Sequence, residues 1–108
     1  MTVCIACIGC RTHTMNPADA ELRQKLKAVT LSDGVSRYEA EIIAQSYFAR
    51  IVGCGAYTGI QDGSDHWIVD GKFGYAGEPI KGFFIDKRSG RVRSSVGPSY
   101  DDPLKIFP

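Results

Sequence analysis

Cysteine, histidine, long apolar runs and charge of one sign are all scarce in this chain, and each scarcity narrows what it can be. Of four cysteines, Cys4, Cys7 and Cys10 crowd the first ten residues and Cys54 stands alone near the middle. Three thiols that close together do not staple distant loops, so the body is not a disulfide scaffold. No apolar stretch approaches the roughly 18 residues that a membrane-spanning helix needs, which removes that class for the sequence as given. Thirteen basic residues against twelve acidic ones leave a formal charge of +1, without a block of like charges. The field that tracks a phosphate backbone is missing, and nucleic acid is not the expected partner.

What is present suits a small folded domain. The 108 residues are 44% hydrophobic and 23% charged, a balance that supports one modest core, and the 12 glycines and 5 prolines point to tight turns. The chain divides into a lead over 1–15, a single α+β domain over 16–97 and a proline-containing tail over 98–108.

The lead, MTVCIACIGCRTHTM, allows three readings. Cys4, Cys7, Cys10 and His13 have the ligand count and softness for structural zinc, but constant short spacing strains a chain around a tetrahedral ion, and no metal site is assigned. An iron–sulfur cluster would have to recruit the remote Cys54. Ile8-Gly9-Cys10 resembles the end of a bacterial lipoprotein signal, yet too few residues precede it and none is basic. The third reading is a flexible lead with incidental cysteines. The expected compartment is the cytoplasm, with a periplasmic location or lipid anchoring at Cys10 as the alternative if the true start lies upstream.

In the body, Asn16-Pro17-Ala18-Asp19 is a helix start, with Asn16 as cap and Pro17 at a position where its missing N–H costs nothing. Ala18, Leu22, Leu26 and Val29 follow as a narrow stripe, and the helix is expected to end near Thr30 to Gly34. A second helix carries the strongest local signal: Ser36 with Glu39 forms a capping box, and Val35 with Ala40 a hydrophobic staple. Ala40, Ile43, Ala44, Tyr47, Phe48, Ile51 and Val52 repeat at helical spacing until Gly53, the expected C-cap. That much aromatic bulk calls for a sheet opposite.

Gly53 to Ser64 reads as a loop with one short irregular strand around Ala56 to Ile60. From His66 the period becomes two. His66 to Asp70 is a strand with Trp67 and Val69 on one face and Ile68 on the other, Gly71 is a turn, and Lys72 to Ala76 a bent strand or bulge. Ile80 to Asp86 places Phe83 and Ile85 opposite Phe84, Lys87-Arg88-Ser89-Gly90 reverses the chain, and Arg91 to Val96 returns. Helices followed by an antiparallel meander make an α+β domain, its sheet curved around the longer helix. The tail either lies across the sheet through Tyr100, Leu104, Ile106 and Phe107 or offers those groups to a partner.

No catalytic set converges. His66 is flanked by Asp62, Asp65 and Asp70; Asp70 is roughly 13 Å along the strand, Asp65 points to the opposite face, and only Asp62 is placed to fold back. Neither Ser64 nor Cys54 makes a convincing nucleophile. The chain is read as a non-enzyme without cofactor. Adjacent phenylalanines cannot both face the helix, so one of Phe83 and Phe84 lies on the outer sheet face as a candidate interface anchor.

With this arrangement in hand, SRYEAEIIAQSYFARIVG, DHWIVDG and IKGFFIDKRSGRVRS together resemble the small bacterial immunity proteins of nuclear-transport-factor-2-like (cystatin-like) fold. The Asp-x-x-x-Gly-x-Val hairpin is more distantly similar to peptidase-propeptide repeats. The resemblance covers about residues 35–96. It implies a cone-shaped domain that binds and neutralises a cognate toxin. On that reading the outward member of Phe83 and Phe84, with Tyr100 or Phe107, would anchor the partner, and Lys87, Arg88, Arg91 and Asp101 would form the charged rim. A homodimer stays open. The runner-up readings are a small-ligand or catalytic cone-shaped domain, distinguished by polar groups converging between helix and sheet, and a propeptide-like cell-envelope module.

Overall fold

The computed structural model describes residues 17–52 and 55–107. The readings placed on Cys4, Cys7, Cys10, His13, Asn16, Gly53 and Cys54 therefore lie outside the described residues, as do the side chains of Pro17 and Ala18. Two helices, α1 (Pro17–Lys27) and α2 (Arg37–Arg50), precede β1 (Gly55–Asp62), β2 (His66–Phe73), β3 (Glu78–Pro79), β4 (Phe84–Asp86) and β5 (Val92–Arg93), and a 3-10 turn spans Pro103–Lys105. The fold is α+β: helices packed against an open five-stranded sheet in the order β1-β2-β4-β5, with β3 also on β2 and every pairing antiparallel. No helix among the described residues is long and apolar enough to cross a membrane.

The second helix starts as its sequence dictates. The Ser36 hydroxyl accepts the Glu39 amide at 3.2 Å, and the Glu39 carboxylate accepts the Ser36 amide at 2.9 Å. Two amides that the helix leaves without internal partners are thus satisfied reciprocally. Ala40, Ile42, Ile43, Ala44, Ser46, Tyr47 and Phe48 are all buried, a wider band than one face. The reason is that α2 is the middle layer, with the sheet on one side and α1 on the other. Ile42 turns toward Ala28 and Val29 at the end of α1.

Aromatic rings fill the space between α2 and the sheet. Phe83, fully buried, has Phe48 stacked parallel at 5.8 Å and Tyr47 edge-on at 4.8 Å. Burying a ring of that size is worth about 1.5–3 kcal/mol, with a further contribution from the ring pairs. The Phe48 ring can lie so close to β2 only because Gly71 has no side chain: a Cβ there would meet Phe48 Cζ at 2.5 Å and the Ala56 carbonyl oxygen at 2.8 Å. Tyr47 spans the whole layer and donates its hydroxyl to the Pro98 carbonyl at 2.8 Å.

Several sequence expectations need correction. The first helix ends at Lys27 instead of Thr30 to Gly34, and the cap of the second is Ile51 instead of Gly53. The short irregular strand expected around Ala56 to Ile60 is present but longer, an eight-residue β1 with an irregularity between Tyr57 and Gly59, so that less of this segment is loop than expected. Gly71 is not a turn: β2 runs through it to Phe73, because the glycine serves the ring above it. The strand expected from Ile80 begins only at Phe84, and the return strand is limited to Val92–Arg93. The tail joins the body. Tyr100 bridges Val92, and Pro103, Ile106 and Phe107 are buried.

Two substitutions test this packing. Ser36→Ala should destabilise the domain by about 0.5–2 kcal/mol in equilibrium denaturation, without change of fold. Gly71→Ala should cost about 1–3 kcal/mol, since one of the two close contacts is backbone and cannot swing aside; an unchanged midpoint would mean that Phe48 does not sit over β2.

Candidate functional site

The alternation of β2 puts Trp67, Val69 and Gly71 inside and leaves His66, Ile68 and Asp70 half-buried on the opposite face. Neither helix covers that face. Register then assembles a row across three strands, with Ile68 opposite Phe84 and Phe84 opposite Arg93. The His66 ring meets Phe84 edge-on at 4.8 Å. Its Nδ1 is 2.8 Å from the Asp65 carboxylate, and that hydrogen bond holds Asp65 below the usual carboxylate range. Asp70 accepts the Gln61 side-chain amide at 2.8 Å at the near border. The result is a small apolar centre of Ile68, Phe84 and the His66 ring, bordered by Arg93, Asp70 and Asp65.

The proposed partner residues separate into three groups. Phe84 is the outward phenylalanine. Phe83 and Phe107 are core side chains, at 0% and 6% exposure, so neither can anchor a partner. Tyr100 is half-buried, its ring edge-on to Tyr47 at 6.1 Å. Lys87 is committed internally: its ammonium meets the Asp62 carboxylate, the Gly63 carbonyl at 2.7 Å and the Trp67 ring face at 4.6 Å. Arg91 pairs with Asp101 at 3.1 Å, and Arg88 lies exposed beside an open groove of about 690 Å³ that Ser32, Asp33, Gly34, Lys87 and Ser89 also line.

The acid–base alternative around His66 changes its members. Asp62, expected to fold back toward the histidine, is taken by Lys87, and Asp65, expected on the opposite face, is the carboxylate that meets it. The strand has only begun at His66, so the preceding residue is not bound by strand alternation. Inside the layer, the polar exceptions are buried hydroxyls. Tyr57 is pushed up to about 12 by its burial and by the neighbouring Glu41 charge, and burial likewise raises Tyr47. A second groove, about 170 Å³, opens between the helices at Lys25, Val29, Tyr38 and Ile42, away from the sheet. Among the described residues no group of three or more His, Cys, Asp or Glu side chains is placed to hold a metal ion.

Sequence reasoning missed Ile68 and His66 as neighbours of Phe84. The signal was available in part, since Ile68 is an apolar residue on the face opposite Trp67; the register with β4 was not. No protein-family model, curated protein or solved structure matches this chain.

The hairpin beside the patch is fastened by one carboxylate. Asp86 accepts the amides of Arg88 at 2.7 Å and Ser89 at 2.8 Å, and these bonds hold its carboxyl below the ordinary value of 3.8. Gly90 closes the turn at φ 77°, a conformation that favours glycine. A depressed folded value means that the contribution is present above the unfolded pKa and is lost as pH falls through the folded one. Asp86→Ala should therefore destabilise by about 0.5–1.5 kcal/mol near neutral pH, an exposed carboxylate lying at the low end for charged hydrogen bonds. The gap from wild type in urea denaturation should narrow as pH falls below the ordinary carboxylate range and close once the folded-state carboxyl is protonated; a gap that does not narrow on acidification would assign the loss to something other than the ionised carboxylate.

Proposed function

We propose that this chain is a binding protein of the immunity type, which neutralises a toxic partner protein by engaging it through the sheet face that neither helix covers. One observation carries the reading. Where a ligand-binding or catalytic cone-shaped domain needs room between helix and sheet, Tyr47, Phe48, Phe83 and Trp67 fill that space, while Ile68, Phe84 and His66 form an apolar centre on the outside. A ring held outward at the middle of a sheet, bordered by charge, has the anatomy of an interface anchor with its polar rim. The cone-shaped, cystatin-like form belongs to the same proposal. Phe84 is the anchor, His66 and Ile68 flank it, and Arg93 and Arg88 supply the rim.

The experiment is co-expression with the product of the adjacent gene, scored by survival and by calorimetric affinity. A stable inhibitory complex should bury at least about 1,000 Å². Phe84→Ala should weaken it by at least about 2 kcal/mol, roughly thirtyfold, with the melting temperature preserved because the ring is only half-buried. Arg88→Ala should mainly slow association and flatten its salt dependence. Lys87→Ala should instead lower the melting temperature, since its charge serves Asp62 and Trp67. Absence of wild-type binding and protection, together with a turnover activity that disappears in His66→Ala, would overturn the reading in favour of an enzyme.

A further inference from the structure

Among the described residues the first strand ends the sheet, and the side that no described strand pairs has a specific pattern. Ile60 stands opposite Val69, whose amide donates to Phe83 at 2.9 Å, away from β1. In an antiparallel ladder the amide and carbonyl of one residue point to the same side, so those of Ile60 face outward. Tyr57 stands opposite Gly71, whose carbonyl accepts the Ile80 amide at 2.8 Å, also away from β1. Tyr57 therefore faces outward too, as do Gly55 and Asp62 by the same alternation. These four positions are symmetric about the midpoint of the strand. An antiparallel second copy would set Tyr57 of one chain against Ile60 of the other, and Gly55 against Asp62.

Such an edge is a template for pairing, and β1 carries little of the usual protection: it holds neither lysine nor proline, Ala56 and Thr58 are small and exposed, and Asp62 is its one charge. What it does have is Arg37. From the first residue of α2, the guanidinium donates through Nη1 to the Ile60 carbonyl at 3.0 Å. The same group lies 5.5 Å from the centre of the Trp67 ring, and the Trp67 indole is fixed by its bond to the Val35 carbonyl. The arginine is thus aimed at the edge by a buried side chain.

We infer that Arg37 is an edge guard, which occupies the outward carbonyl at the centre of β1 and keeps that strand from pairing with β1 of a second copy. The inference stands apart from the proposed partner face, which lies on the outer surface of β2 and β4. It is tested on the full chain by sedimentation equilibrium with melting curves. Wild type should be monomeric. Arg37→Met keeps the apolar stem and loses the donor, and should lower the dimer dissociation constant by at least about tenfold. Arg37→Gln, a smaller change, provides the measurement if the methionine variant loses its melting transition. Adding Thr58→Lys, which places a charge on the exposed edge, should restore the monomer, and the Ile60 amide should gain exchange protection only in the dimer. Folded arginine variants that stay monomeric, a dimer indifferent to Thr58→Lys, or a wild type that dimerises as strongly as the variants would each overturn the guard.

Discussion

The backbone of Val35 is the fixed point of this domain. Its amide donates to the Lys87 carbonyl at 2.8 Å, and its carbonyl accepts the Trp67 indole at 2.9 Å. One residue thereby ties the approach to α2 to the loop after β4 and to the start of β2. Burial makes the tie strict: Trp67 is nearly enclosed, and an indole N–H without an acceptor there costs about 1–3 kcal/mol. Ser36, the next residue, caps α2 through bonds confined to Ser36 and Glu39, so the local box and the tertiary clasp meet at one point of the chain. Lys87 closes the arrangement from the other side, lying over the same ring while it neutralises Asp62.

From that clasp the helix is aimed across the sheet, and the close approach at its far end depends on small residues. Phe48 rests over Gly71, Val52 lies against Gly55, and Tyr47 reaches Gly97. Large rings on one element and missing side chains on the other are two halves of one packing solution, since an interior close to crystal density leaves no room for both. This is why β2 keeps a glycine in mid-strand despite the conformational entropy it adds to the unfolded chain.

What could be read in advance followed the reach of each signal. The Ser36–Glu39 box, the alternation of Trp67 and Val69 against Ile68, and the opposition of Phe83 to Phe84 are local, decided within a few residues, and the structure carries each of them. Only the Ala56 to Ile60 part of β1 was legible, because GAYTGIQD has few strong strand formers; its full eight residues are held by the ladder with β2 and by the helix above it, neither of which a local window contains. Gly71 misled for the same reason, its purpose being a contact with Phe48 some twenty residues away in sequence. Lys87 read as a charged rim residue until the fold brought Trp67 and Asp62 to it, and for Phe107 a local window could not decide between lying on the body and facing a partner.

The placement of Phe84 follows from constraints on its neighbours. Phe83 and Ile85 are both fully buried, and strand alternation then forces the residue between them outward whatever its chemistry. Strand alternation would carry a polar residue outward just as well, since neither α1 nor α2 lies on the outer face. The ring does find contacts, the His66 imidazole and Ile68 across the strand, but cross-strand pairs of this kind contribute only about 0.2–1 kcal/mol each. Half-covering the ring, which the unfolded chain exposes in full, adds a modest gain in the same direction. The aromatic character of this position is therefore not set by the helix-facing packing that fixes Phe83 and Ile85.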